Sequence, residues 1–518
     1  MLLKAGVLSL ALLLASRLLG LVRESALAAA FGTTGLADVA VLMLTLPDWI
    51  TGVLASGALA YVLLPHWARQ APAQHAETQR RVARGLLLWG AIAALALYLF
   101  RAPISGAFVS GLSASLQGDA AQAIMWSAVA LPGALLAALW ITRLQYERDF
   151  TGLYSANLVI NGVLIAALYF AARYPASSDP VGALGFALVA ATGLRLLWLR
   201  YRLHAPAFGE TSELTVVPVP PLPLPRASVW IWAALASGLP LTLPFVARSL
   251  ASSTGEGALA TFNYAWKLVE LPLVLAIQLV ATLTFSGITR AMATDTPGSY
   301  RGVPSNDDAA IEAPSSQLTE AAASAIRGAF AFTWTLACAA VAALQLGSSA
   351  IAILLFGWGR MTPESLALIS AWGAIGAWSL LPQALIAVAL TVLAVQGRMR
   401  LAVVAYASAL LALVAFGLIA KRDGEWLMAA LNVVLAGVAW ILMARLNGSR
   451  SAWPLVAWRA MLVPVVALLV ISLVAGVLQA GFPTQHGLAE IAVSVLGAIV
   501  VVATSWLANV ELRTVLRR

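Results

Sequence analysis

The chain has 518 residues, of which 61% are hydrophobic and 10% charged, and it carries a formal net charge of +9. That much apolar surface excludes an ordinary soluble globular protein, and a single cysteine, Cys338, excludes a disulfide framework or a cysteine-based metal centre. The positive balance does not point to nucleic acid. The basic residues fall in short loops between long apolar runs, the pattern that orients membrane proteins.

Read in order, the chain predicts an all-α polytopic membrane protein. Fourteen spans are expected, at roughly 6–31, 37–68, 85–110, 122–144, 152–172, 182–203, 228–250, 259–287, 325–355, 364–395, 400–420, 426–445, 459–479 and 487–511. A transmembrane barrel would need short alternating segments, and none dominates. The first run is too long and too charged for a cleaved leader. Arg69, Arg80, Arg81, Arg84, Arg143, Arg148, Arg200, Arg202, Arg398, Arg400, Arg445 and Arg450 all fall on one side, which predicts that both termini are cytoplasmic. Lys421 and Arg422 depart locally from that bias.

Two stretches divide the spans. Residues 205–227 contain PVPPLPLPR, a stiff linker that cannot be helical. Residues 288–324 read as a polar cytoplasmic loop. The expected organisation is an N-terminal lobe over 1–204 and a C-terminal lobe over 228–446, followed by two further helices in 447–518. Spans two and eight echo one another, each with a Leu-Pro in its first half and an arginine after it, Arg69 and Arg290. Two six-helix halves of equal topology, related by an axis along the membrane normal, would suit alternating access.

Charges inside these spans carry the functional signal. Arg17 lies roughly 14 Å along a helix from Leu8, near mid-membrane, where a charge is costly unless it faces a bundle interior or a wet cavity. Arg23 falls about 240° around the helix from Arg17, whereas Glu24 nearly shares the Arg17 face, so Glu24 is expected to temper the cavity rather than neutralise Arg23. Asp38 stands at the outer start of span two and Arg248 near the outer end of span seven. Lys267 lies a third of the way into span eight, with Glu270 three residues on. Arg17, Arg23, Arg248 and Lys267 together predict a basic cavity suited to a lipid-borne phosphate or pyrophosphate. The plainer readings are a structural Lys267–Glu270 pair and stems that reach back to the surface, and Arg195 is read that second way. Pro240 and Pro244 predict that span seven is a bent, gating helix. The four histidines have no ligand spacing, and no nucleophile–base pairing can be assembled from them.

Several stretches resemble one family. SRLLGLVRESALAAAFG, ADVAVLMLTLPDWITGVLASGALAYVLLPHWAR, YAWKLVELP and LLFGWGRMTPES are similar to segments of the MurJ (MviN) lipid II flippases of the MOP exporter superfamily. The resemblance implies two six-helix lobes around a central cavity, with two C-terminal helices forming a lipid-facing groove. It also implies movement of an undecaprenyl-pyrophosphate-linked saccharide across the bacterial inner membrane. Arg17 and Arg23 match the family's two arginines of the first helix, Asp38 its aspartate of the second, and Lys267 a basic position of the eighth that is usually arginine. The chain departs from the family at Asp48 in LPDWITG, where the family has Leu-Pro-Asn and then an arginine, and at Ser56, where it has glutamate. The implied partners are the polyprenyl-linked glycan, the bilayer and envelope glycan-synthesis proteins. No cofactor is called for; the drive is the membrane potential, a monovalent ion or the substrate gradient. The rival readings are a flippase for another polyprenyl-linked saccharide, a drug exporter of the same superfamily, a membrane glycosyltransferase, and a non-transporting scaffold of an envelope assembly complex.

Overall fold

The structure is a computed structural model and describes residues 2–53, 57–173, 179–204, 223–278, 320–419, 423–446, 456, 458–481, 487–509 and 512–513. Most of the expected loop 288–324 and of the linker 205–227 lies outside these residues, as do Lys421 and Arg422, and residues 320–324 belong to a helix.

In the described residues the helices are α1 (Leu2–Phe31), α2 (Gly35–Thr51), α3 (Gly57–Ala68), α4 (Pro72–Leu99), α5 (Arg101–Phe108), α6 (Ala114–Tyr146), α7 (Phe150–Arg173), α8 (Pro180–His204) and α9 (Ala227–Ala251). They continue with α10 (Ala258–Pro272), α11 (Glu320–Phe356), α12 (Pro363–Ala377), α13 (Leu380–Val395), α14 (Met399–Ile419), α15 (Gly424–Arg445), α16 (Trp458–Gly481) and α17 (Gly487–Ala508). Among the described residues nine helices are long and apolar enough to cross a membrane, ten if α12 and α13 form one broken span. The chain is thus an all-α polytopic membrane protein. Leu88, Trp89, Phe186, Leu411 and Leu473 are exposed, which suits a surface solvated by lipid rather than water.

Local chemistry sets where helices begin. Pro72, Pro180 and Pro363 each occupy a first helical position, where a missing N–H costs nothing. Asp149 accepts the Gly152 N–H at 2.9 Å, and Asp179 accepts the Gly182 N–H at 2.7 Å, each capping the helix that follows.

Some expected spans are broken. Span three is divided into α4 and α5. Span ten bends by 47° between α12 and α13. Pro382 therefore sits in the first turn of α13, where it is tolerated, instead of bending a helix interior.

The chain forms two compact units. The first comprises Met1–Lys267, Ala352–Trp372 and Tyr406–Leu431, and the second Leu268–Ile351, Gly373–Ala405 and Asn432–Arg518. In the first, α3, α4 and α6 enclose an apolar core of Leu59, Leu63, Trp67, Val82, Leu131, Leu135 and Leu139. The Ser127 hydroxyl on α6 donates to the Met43 carbonyl of α2 at 2.8 Å, an interhelical bond that needs no water.

In the second unit, α11 is interrupted at Gly347, whose φ of −132° and ψ of 16° are not helical. The break frees one carbonyl and one amide, and α17 satisfies both. The Ser494 hydroxyl donates to the Ala343 carbonyl at 2.7 Å, and the Ala350 N–H donates to the Glu490 carboxylate at 3.3 Å.

Candidate functional site

Two groups of buried polar residues in the first unit contain the charges marked in the sequence, one at an end of the helices and one within them.

The end group is built largely from backbone. Asp38, in the first turn of α2, is 1% exposed. Its two carboxylate oxygens accept the N–H groups of Gly257 and Ala260, each at 2.7 Å. Asp38 therefore caps the N-terminus of α10, where the amides are orphaned and the helix dipole favours an anion. Gly257 has a φ of +82°, and a Cβ there would strike the Thr33 carbonyl. On the other side of the α1–α2 turn, the Arg360 N–H donates to the Ala29 carbonyl at 3.1 Å. Gly359, with a φ of +65°, lies against that same carbonyl. The Thr33 and Ser365 hydroxyls are 2.5 Å apart. The Ser252 hydroxyl donates to the Phe108 carbonyl at 3.0 Å, and the Ser113 N–H donates to Glu256 at 3.1 Å. Those hydrogen bonds from Ser113 hold the Glu256 carboxyl below its usual range. Four stretches of chain are thus pinned together where α1 stops and α2 starts.

The inner group is built from charged side chains. Arg23 Nη2 lies 2.8 Å from Glu24 Oε1, and its Nη1 lies 3.7 Å from Asp48 Oδ2. The expectation that Glu24 would leave Arg23 unneutralised is corrected here. Adjacent helix positions diverge by about 100°, yet the long arginine stem folds back to the carboxylate because both groups are largely withdrawn from solvent. Glu24 Oε2 accepts the Asn263 side-chain N–H at 3.0 Å. The Asn263 carbonyl oxygen accepts Arg248 Nη1 at 2.9 Å. Asn263 is buried and bridges an anion on α1 to a cation on α9 with its own dipole. Lys267 lies one turn beyond Asn263 on α10, and its charge acts on Glu24. The Arg248 guanidinium also sits 4.8 Å from the Phe245 ring centroid, and Phe245 stacks on Trp49 at 4.5 Å.

Of the residues marked in the sequence, Arg23, Glu24, Arg248 and Lys267 therefore form one group. Arg17 is exposed, about one and two-thirds turns from Arg23 on α1, and its charge acts on Tyr154 of α7. Asp38 belongs to the end group. Glu270 falls in the second unit. Pro240 and Pro244 lie inside α9, which runs unbroken from Ala227 to Ala251. They leave the carbonyls of Ala236 and Pro240 without helical donors.

Two members of the group carried no sequence signal of their own. Asn263 is neutral, although a polar residue one turn from Lys267 in an apolar helix is a usable cue. Asp48 appeared only as a departure from a motif.

In this group Arg23, Arg248 and Lys267 gather about Glu24 and Asp48 among apolar helices, and two of the three cations are guanidinium forks, donors suited to the oxygens of an anionic headgroup.

The sequence model of a family described as lipid II flippase MurJ matches residues 27–497. A probable lipid II flippase MurJ of Rhizobium meliloti (strain 1021) is 26% identical over 375 residues, covering 68% of this chain and 63% of its own length. A lipid II flippase MurJ of Burkholderia cenocepacia is 25% identical over 296 residues, covering 54% of this chain and 55% of its own. This chain thus spans less than two thirds of either relative. Among solved structures, a lipid II flippase MurJ in an inward closed conformation has a TM-score of 0.72 at 14% identity, covering 96% of this chain and 98% of that one. An inward-facing multidrug resistance MATE family transporter of the MOP superfamily has a TM-score of 0.56 at 18% identity, covering 83% and 94%. At these identities the two structures establish a shared fold.

Proposed function

Because this chain belongs to the lipid II flippase MurJ family, we propose that it moves an undecaprenyl-pyrophosphate-linked saccharide, lipid II, from the cytoplasmic to the outer leaflet of a bacterial inner membrane. The observation that carries this reading is the convergence of Arg23, Arg248 and Lys267, from three helices, on the buried Glu24–Asn263 pair. No hydrolysis is part of the scheme. The work comes from the membrane potential, a monovalent ion gradient or the substrate gradient, and one charge crossing the potential is worth about 2.3 kcal/mol per 100 mV.

The scheme has fourteen spans in two six-helix lobes plus two C-terminal helices, with both termini cytoplasmic. In that topology the α1–α2 turn is periplasmic, so the group around Asp38 closes the outer end of the path. The headgroup enters from the cytoplasmic side between helices while its polyprenyl tail stays in lipid. Arg17, Arg23 and Lys267 take the phosphates. The outer seal then parts, with the proline-bearing α9 as a moving element, and the headgroup leaves on the other side.

The test is complementation of a MurJ-depleted bacterium by the intact gene, Arg17→Ala and Lys267→Ala, with membrane levels checked by blot. Rescue by the intact gene and loss in both variants is the expected result. A well-expressed intact protein that fails to rescue would remove lipid II as substrate. A second reading then takes over, a flippase for another polyprenyl-linked saccharide. It is favoured by Asp48, which sets a carboxylate against Arg23 and lowers the positive charge offered to a pyrophosphate.

A further inference from the structure

Arg195 departs from its expected behaviour. It lies about 13 Å from the His204 end of α8 at 1.5 Å per residue. Its guanidinium does not turn back toward that end. Arg195 Nη2 donates to the Asn157 side-chain oxygen at 2.9 Å, and Asn157 itself lies about 10 Å inside α7 from Phe150. The Arg195 Nε is buried and makes no hydrogen bond. A buried guanidinium N–H without an acceptor is costly, and in a bilayer no bulk water relieves it. The carboxylate of Asp48 acts on the Arg195 charge and also stands 3.7 Å from Arg23 Nη1. Asp48 has 58% of its side chain exposed, whereas Arg23 has 13%. One accessible carboxylate therefore stands among two arginines that come from α1 and α8. Tyr154, on which the Arg17 charge acts, lies one turn from Asn157 on α7.

We propose that Arg195, oriented by Asn157, is an additional binding residue for the second phosphate of the headgroup, and that Asp48 is a resident anion that occupies its place until substrate arrives. This rests on the pyrophosphate-lipid reading above and extends it to residues on α2, α7 and α8. A pyrophosphate spreads its oxygens over two phosphorus centres and so reaches guanidinium forks set on different helices more readily than a monophosphate does. Asp48 supplies a single carboxylate at the longer distance of 3.7 Å, which is long for a charge-assisted hydrogen bond and so is readily displaced. While empty, the site keeps its cations compensated. While filled, Asp48 swings into the accessible space it already faces.

The experiment uses the full chain in detergent micelles, with farnesyl pyrophosphate and farnesyl monophosphate as probes and intrinsic tryptophan fluorescence as the signal, since Trp49 adjoins Asp48 in the sequence. Wild type should prefer the pyrophosphate. Arg195→Gln should weaken the pyrophosphate about tenfold and the monophosphate much less, and Arg195→Lys should keep charge yet lose the preference, because an ammonium has no fork. Asp48→Asn should tighten both probes several-fold. Melting temperature measured alongside separates loss of binding from loss of fold, and Arg195→Lys serves if Arg195→Gln does not fold. Retention of the wild-type preference in both Arg195 variants, while Arg17→Ala and Lys267→Ala lose binding, would overturn this proposal and leave the functional reading intact. A wild type that binds neither probe would overturn both.

Discussion

The end group around Asp38 and the inner group around Glu24 solve burial of polar atoms in opposite ways. At the end, a carboxylate meets two backbone amides, and glycines let backbone approach backbone. Every donor there has a fixed place, and little net charge is left to offer. In the inner group the long side chains of Arg23, Arg248 and Lys267 act on Glu24 and Asp48, and a neutral asparagine carries the connection. The first arrangement suits a seal, because one geometry satisfies it. The second suits a binding surface, because its charged side chains come from several helices. The difference is between stability that needs a shape and stability that needs a partner.

Substitutions can break each side of that comparison. The largest effect is expected at Gly359→Val. A β-branched residue at φ +65°, against the Ala29 carbonyl, combines left-handed strain with overpacking and should cost roughly 4 kcal/mol, read as a lower melting temperature in detergent. Next is Glu24→Ala, which removes the carboxylate from a buried ion pair and should cost about 3 kcal/mol; the same measurement checks it. Asp38→Ala leaves two buried amides uncapped and should cost about 2 kcal/mol. It should also raise labelling by an aqueous maleimide of a cysteine introduced at Thr33, while Glu24→Ala should not. Equal labelling in the two variants would erase the distinction between seal and binding surface.

The smallest effect is expected at Glu256, which is exposed. Its carboxyl is held below its usual range in the folded chain, so its contribution is present above the ordinary carboxylate range and fades as the pH falls through the lowered value. Glu256→Gln should therefore melt slightly below wild type at neutral pH and level with it in acid.

The sequence and the structure differ in an instructive way between these two regions. Arg23, Arg248 and Lys267 were legible because a charge in an apolar run is costly and stands out. Asn263 was not, since a neutral amide adds little to a hydropathy pattern. The end group was almost invisible. Asp38 could be marked, but its partners are the amides of Gly257 and Ala260, and a backbone amide has no sequence signature. The left-handed φ of Gly257 and Gly359 is imposed by tertiary contact with Thr33 and Ala29. The helical regions followed hydropathy closely, whereas the break at Gly347 and the 47° bend before α13 did not, because apolar runs continue through both. Arg195 shows the limit of a rule based on depth alone: its position fitted a side chain that reaches the surface, and Asn157, a neutral partner on another helix, holds it inside.

The most direct test of the central claim is transbilayer movement of a polyprenyl-pyrophosphate-linked glycan in proteoliposomes holding the wild type, Arg17→Ala or Lys267→Ala, each shown to be folded by its melting temperature. The account predicts movement by the wild type and its loss in both folded variants. Movement at the wild-type rate in both would contradict a basic surface as the carrier of the headgroup.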